Sequence, residues 1–414
     1  MSGKARPPLP DGPYLVVGLA RSGSAAALML REHGEVIGVE KGVRPLESEA
    51  LKGSDPVEVH LETEGVELLE RARTVVKSPG VPNDAPVVVA ARERGLDVVG
   101  ELELAWRLMP NQFIAVTGTN GKTTTVELLG AMHRAADVPV AVAGNVGTPL
   151  ASLVGSIDPD AVVVCEASSF QLEDTVAFAP ECAVLLNIEP DHIDRHGTFE
   201  AYREAKLRVF ANQDAGDVAI RPPFPPLPIP PEELRLRGEH NVENAMAAAA
   251  AADARGLPAD GVAEALRTFG GVPHRLEDVA EARGVTWVND SKATNVASAR
   301  VGIEAFDEAV HLIAGGSLKG GGFEGLRDPV AARCRAVYLI GEASDRMAAD
   351  LEPAGVPLAR CGDLAAAVAA AGAAAQPGDV VLLSPACASF DQYEDFEARG
   401  NHFRELAQRW AAQA

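Results

Sequence analysis

Phe113-Ile-Ala-Val-Thr-Gly-Thr-Asn-Gly-Lys-Thr-Thr124 opens as an apolar strand, breaks at Gly118 and Gly121, and continues into a helical stretch. A strand, a glycine loop and a helix in that order make a phosphate-binding loop, because loop N–H groups and the helix N-terminus converge on one anion. Gly118, Thr119, Asn120, Gly121 and Thr124 would line that cradle. Lys122 would offset the charge of the terminal phosphates, and the Thr123 hydroxyl would reach a Mg2+ ion. Val116 stands where the strict pattern begins with glycine, so a plain glycine-rich turn with a surface lysine competes with this reading.

Outward from the loop, short apolar runs alternate with alanine-rich helical stretches, the pattern of parallel α/β layers. Strands are expected at residues 14–19, 35–40, 74–77 and 96–99, then near 113, at 161–166 and 183–188, and finally at 285–289, 310–314, 336–340 and 380–383. A helix is expected at 22–33. A short helix and turn at 101–112 and a Gly-Gly-Val-Pro hinge at 270–273 divide the chain. The expectation is an α/β protein of three domains, 1–100, 101–272 and 273–414, each with its own sheet. Seven prolines within residues 221–231 exclude a helix interior or central strand and imply an extended connector.

Of 414 residues, 47% are hydrophobic and 23% charged, enough for sizeable cores in two or three domains. The formal charge of -22 repels polyphosphate backbones, so nucleic acid is not an expected partner. A local pocket can still take a small anion. Cys165, Cys182, Cys334, Cys361 and Cys387 are scattered without a C-x-x-C pair, which argues against a disulfide framework or a cysteine-rich zinc site. The opening MSGKARPPLPDGPY lacks an apolar leader core, and the apolar stretch at 15–30 is interrupted by Arg21 and several Gly and Ser. No membrane partner and a cytoplasmic location are expected.

Three further stretches carry chemistry. Glu166 ends an apolar run in Cys165-Glu-Ala-Ser-Ser-Phe-Gln171, and strand ends line ligand crevices in α/β folds. Its carboxylate suits a hard cation such as Mg2+; a helix-capping acid is the alternative. In Asn187-Ile-Glu-Pro-Asp-His-Ile-Asp194, His192 lies four residues before His196, a zinc-like spacing on a helix, but Pro190 and the acids favour a loop. His192 then reads as a single ligand or as a polar partner in a crevice. Residues 198–210 read as a helix capped by Thr198, with Phe199, Tyr202, Lys206 and Val209 on one stripe. Lys206 there needs a carboxylate partner or a chemical modification, unless it snorkels outward.

Together these residues resemble the Mur ligase family, ATP-dependent amide-forming enzymes of peptidoglycan precursor synthesis. The match continues through Glu239-His-Asn-Val-Glu-Asn244, Pro273-His-Arg275 and Asn289-Asp-Ser-Lys-Ala-Thr-Asn295. It reaches Ser384-Pro-Ala-Cys-Ala-Ser-Phe-Asp-Gln392 and so covers nearly the whole chain. The 289–295 and 384–392 stretches, with residues 312–316 and Lys319, resemble the D-glutamate-adding branch. The resemblance implies a Rossmann-like N-terminal domain, a central P-loop ATPase-type domain and a C-terminal Rossmann-like domain. It implies ATP, two Mg2+ ions, and the substrates UDP-N-acetylmuramoyl-L-alanine and D-glutamate, acted on by a monomer. By position, Lys122, His192 and Lys206 match catalytic residues, Lys206 as a carbamate, and Thr123, Glu166, His192 and Lys206 match the metal set. Asn244, Arg275 and Asp290 match nucleotide contacts. Arg21, Ser22, Glu40, Ser78, Gly80 and Asn145 match the uridine-nucleotide site, and Lys292, Thr294, Lys319, Ser389, Phe390 and Phe396 the D-glutamate site. Two departures stand out: the segment after Phe210 is shorter and richer in proline, and Arg21-Ser22 is an unusual pair for the first loop.

Gly18 and Gly23, with Glu40 ending the next strand, also form an incomplete dinucleotide fingerprint in which Ala20 replaces the middle glycine. An NAD-dependent oxidoreductase is therefore the rival from another class, and a nucleotide-gated binding module is a second. Neither would release ADP on addition of an amino acid. Within the ligases, another amino-acid-adding or folylpolyglutamate-type enzyme is the alternative.

Overall fold

The computed structural model describes residues 4–42, 51, 56–236, 238–307, 309–318 and 321–413. Lys319 lies outside them. The described residues form two compact units: the first runs to Arg235 and takes in Glu239–Phe269, the second takes in Leu236–Gly238 and the chain from Gly270 onward.

The first unit holds two parallel sheets. One contains β1 (Tyr14–Val17), β2 (Val36–Glu40), β3 (Glu58–Leu61), β4 (Thr74–Lys77) and β5 (Asp97–Gly100), in the order β3-β2-β1-β4-β5. Its inner strands are apolar on both faces because helices cover both sides, and every residue of β1 and β4 is buried. The second contains β6 (Phe113–Thr117), β7 (Val140–Gly144), β8 (Val162–Glu166), β9 (Cys182–Leu185) and β10 (Val218–Ile220), in the order β10-β9-β6-β8-β7. All strand pairs in it are parallel, so the loops after β6, β7, β8 and β9 leave from the same edge of the sheet. The expected loop–helix step after β6 is present, as the helix Lys122–Ala135. Helix Glu239–Ala254 packs against it, and its alanines permit that close approach. Residues 221–230 form no helix or strand, as the prolines require.

The second unit holds β11 (Glu277–Ala282), β12 (Val285–Asn289), β13 (Val310–Gly315), β14 (Cys334–Ile340), β15 (Leu358–Gly362) and β16 (Val380–Leu383). The order is β11-β12-β16-β13-β14-β15, antiparallel only between β11 and β12. Helix Phe396–Ala412 lays Phe403 and Trp410 against Trp287 of β12, with ring centroids 6.1 and 4.9 Å apart. Strands β3, β7, β10, β11 and β15 are additions to the sequence expectation.

Candidate functional site

The glycine loop after β6 needs glycine at two positions. Gly118 has φ 159 and Gly121 φ 84, and a Cβ on Gly121 would meet Asn244 Oδ1 at 2.0 Å. Asn244, buried in helix Glu239–Ala254, thus seats the loop from behind. Gly121→Ala combines that clash with a left-handed backbone conformation costing about 1–3 kcal/mol. Nucleotide affinity should fall about tenfold or more, readable by titration with an ATP analogue.

Partners of the loop come from the segment after β9. The Thr119 N–H donates to the Asn187 carbonyl at 3.1 Å, and the Asn120 N–H to Asn187 Oδ1 at 2.9 Å. The Thr119 hydroxyl lies 3.0 Å from the Tyr202 hydroxyl and accepts the Glu189 N–H at 3.0 Å. Lys122 Nζ folds back to donate to the carbonyls of Gly118 and Thr119, both at 2.9 Å. Lys206 Nζ donates to the same Gly118 carbonyl at 2.7 Å. Two lysines therefore converge on one loop oxygen.

Lys206 does not snorkel. It is 2% exposed, its Nζ lies 4.6 Å from the Tyr202 ring centre, and among the described residues no carboxylate forms an ion pair with it. Burial, reinforced by the Lys122 ammonium, pushes its amine down to about 7, against the opposing pull of Asp191 and Glu166. Thr198 caps its helix as expected, accepting the Ala201 N–H at 3.1 Å.

Glu166, the last residue of β8, accepts the Thr123 hydroxyl at 2.8 Å through Oε2 and the Asn145 amide at 2.9 Å through Oε1. A Cβ on Gly144 would meet the Glu166 carbonyl at 2.2 Å, so the glycine lets the β7 end close onto β8 and present Asn145. His192, nearly half exposed and in a left-handed conformation, caps the single turn Ile193–His196. His196 instead stacks on Phe170 and lies 3.0 Å from Ser169 Oγ. The two histidines share Phe170 and Tyr202 as ring neighbours, with His192 4.8 Å and His196 5.3 Å from the Phe170 ring centre. Among the described residues, no group of three His, Cys, Asp or Glu could cage a metal.

At the first sheet, the Glu40 carboxylate accepts the N–H groups of Leu19 and Gly42 at 2.8 and 3.0 Å, shaping the Gly18 loop. Arg21 is exposed, and the Ser22 hydroxyl donates to Glu101 at 3.3 Å. Glu101 is fully buried and raised to about 7, chiefly by loss of solvent. The loop with Ser78 and Gly80 follows β4 directly; the Ser78 N–H donates to the Val17 carbonyl.

In the second unit, several sequence-expected residues gather around one that was not anticipated. Arg399, 1% exposed, donates to Ser291 Oγ and its carbonyl, both at 2.9 Å, and to the carbonyls of Cys387 and Ala388 at 3.1 and 3.2 Å. It fastens the stretch holding Lys292 and Thr294 to the one holding Ser389 and Phe390. Burial brings the guanidinium down to about 10. Lys292 Nζ lies 5.9 Å from the Phe396 ring, Ser389 is buried, and Phe390 is 70% exposed. Asp290 is turned inward: Ser384 Oγ donates to it at 2.7 Å, and burial raises it to about 7. Arg275 nearby opposes that shift by its charge. An arginine or glutamate such as Arg399 or Glu101 reads as ordinary helix surface in sequence, and only the tertiary partners reveal it.

Comparison with known proteins gives one family throughout. Residues 13–100 match the Mur ligase MurD-like N-terminal domain, 116–222 the Mur ligase middle domain, and 274–387 the Mur ligase glutamate ligase domain. The chain is 43% identical to the UDP-N-acetylmuramoylalanine--D-glutamate ligase of Acidobacterium capsulatum, over 96% of this chain and 97% of that one. It is 38% identical to the enzyme of the same name from Pelotomaculum thermopropionicum, over 95% and 96%. Among solved structures it is similar in fold to the UDP-N-acetylmuramate-alanine ligase of Thermotoga maritima, with TM-score 0.58, 18% identity, and 97% and 99% of the two chains covered. The MurF ligase of the same organism, solved with ADP, gives 0.57 at 16% identity over 92% and 95%.

Proposed function

Because this chain belongs to the Mur ligase family, we propose that it is an ATP-dependent ligase that adds D-glutamate to UDP-N-acetylmuramoyl-L-alanine in peptidoglycan precursor synthesis. The observation that carries the chemistry is the convergence of Lys122, Thr123, Glu166 and Lys206 on one glycine loop. Three domains, 1–100, 101–272 and 273–414, divide the work in a cytoplasmic monomer. No helix among the described residues is long and apolar enough to cross a membrane.

ATP lies along Gly118–Thr124 with Asn244 as a further contact. The acceptor uses Arg21, Ser22, Glu40, Ser78, Gly80 and Asn145. A carboxylate oxygen of the acceptor attacks the γ-phosphorus, giving an acyl phosphate and ADP. Lys122 offsets charge on the phosphoryl oxygens as it spreads in the transition state. The amine of D-glutamate then attacks the acyl carbon, and inorganic phosphate leaves. Lys292, Thr294, Lys319, Ser389, Phe390 and Phe396 hold the amino acid, with Arg399 fixing their two loops.

Mg2+ fits the donor set, since it takes one or two protein oxygens and completes its shell with phosphates and water. Thr123, Glu166, His192 and a carbamate on Lys206 would hold two ions, which when bound neutralise phosphoryl charge. The buried, neutral-prone Lys206 amine is what carbamate formation requires.

D-Glutamate presents two carboxylates, so its site needs separate cationic or hydroxyl anchors, which Lys292, Lys319, Thr294 and Ser389 offer. A diamino acid would set an ammonium against a lysine. In an ADP-release assay with the uridine-linked acceptor, D-glutamate should exceed L-glutamate, lysine and diaminopimelate by about two orders of magnitude or more. Preference for L-glutamate or a diamino acid would move the chain to another branch of the family. Nicotinamide-dependent absorbance change without ADP would reject the ligase reading altogether.

A further inference from the structure

Loop 78–81, which follows β4, is held by a single side chain from a distant segment. Arg195 Nη2 donates to the carbonyls of Val81 at 2.6 Å and Pro79 at 3.2 Å, and Nη1 to that of Gly80 at 3.4 Å. Three successive carbonyls on one guanidinium require its planar fork of donors, which an ammonium cannot reproduce. The guanidinium is itself fixed. It stands over the Phe170 ring at 4.8 Å and donates to Glu173 Oε1 at 3.2 Å. That oxygen also takes Lys77 Nζ at 3.1 Å, and Lys77 donates in turn to the Val81 carbonyl at 3.1 Å.

Arg195 sits in the turn Ile193–His196, three residues past His192. Phe170, on which Arg195 rests, is also the ring facing His192 at 4.8 Å and stacking on His196 at 5.3 Å. One short turn therefore carries His192 on one side and the brace of loop 78–81 on the other. Lys77 ties the two sheets separately, at 2.8 Å from Asp174, so apart from the bond to Glu173 the Arg195 Nη donors go to the loop.

We propose that Arg195 is a positioning residue that sets loop 78–81 and His192 in a common register, so that seating of the uridine-linked acceptor and placement of His192 are fixed together. The inference rests on the acceptor and His192 assignments above. Neither Arg195 nor Glu173 touches substrate in it; Arg195 acts through the loop carbonyls it holds, and Glu173 through the Arg195 and Lys77 side chains.

The test uses the full chain with Arg195→Lys, and Glu173→Gln as a second variant that keeps the arginine but neutralises its anchor. Calorimetry measures UDP-N-acetylmuramoyl-L-alanine binding without ATP, and a separate titration measures an ATP analogue. Arg195→Lys should weaken acceptor binding about tenfold, leave ATP-analogue binding within twofold, and lower kcat about tenfold at saturating acceptor. Glu173→Gln should move the same two quantities in the same direction by a smaller factor. A brace of the loop alone would spare kcat at saturation, and a role confined to His192 would spare acceptor affinity; either result overturns the proposal. Equal losses of acceptor and ATP binding in both variants, with a lowered melting temperature, would also overturn it in favour of a general structural role. If the parent itself shows no acceptor-dependent ADP release, the functional reading fails first, independently of Arg195.

Discussion

The Lys122→Ala protein should release ADP at about a thousandth of the parent rate or less while melting within a few degrees of it. Lys122 opens helix Lys122–Ala135, and its Nζ is parked on the carbonyls of Gly118 and Thr119. The charge is thus held at the mouth of the loop before nucleotide arrives, and little reorganisation is needed when phosphoryl charge develops. Preorganised donors at developing anions are worth about two to three orders of magnitude, and cationic groups on transferring phosphoryls about three to five. The fold should tolerate the change, because alanine is the best helix former and the two loop carbonyls can turn to water. Single-turnover ADP formation with acceptor and D-glutamate at saturation reads the effect. A rate within a few-fold of the parent would remove Lys122 from the phosphate site.

Legibility of the fold followed burial. Every interior strand was anticipated from an apolar run, from β1 and β4 in the first sheet to β13 and β16 in the last. The five additions, β3, β7, β10, β11 and β15, are all sheet edges, as their places in the strand orders show. An edge strand pairs on one side only and meets solvent on the other, so Glu58-Val-His-Leu61 or Glu277-Asp-Val-Ala-Glu-Ala282 need not be apolar. The candidate site divides in the same way. Lys122, Thr123, Glu166 and Lys206 could be read because each sits at a fixed step from a strand end or along a helix stripe. Arg195 and Arg399 could not, and Tyr202 reads only as part of that stripe, without its bond to the loop. The two arginines bond mainly to backbone carbonyls and Tyr202 to a loop hydroxyl, contacts that leave no pattern of residue types along the chain. Asp290 shows the converse: its motif points to a ligand, yet its carboxylate is spent on Ser384 inside the unit.

Lys206→Ala should cost about two orders of magnitude or more in ligation and regain part of it with formate or acetate. The side chain is 2% exposed and aimed at the Gly118 carbonyl, so truncation leaves a small cavity beside the loop that a short carboxylate can fill. Carbamate formation turns a buried cation into an anion next to Lys122, and only the neutral amine has the lone pair that attacks CO2. With the amine near 7, that form grows as pH rises from 6 to 8, and the carbamate carbon signal from labelled bicarbonate should grow with it at fixed dissolved CO2. The linkage has the same sign. The folded value lies below the unfolded 10.5, so between about 7 and 10.5 the unfolded chain binds more protons and this group's contribution to stability rises with pH. Lys206→Ala should flatten that slope and lose the carbamate signal. Lys122→Ala should shift the signal to higher pH, because removing the neighbouring ammonium makes protonation of Lys206 easier. A Lys206→Ala protein that stays fully active and indifferent to bicarbonate would rule the carbamate out.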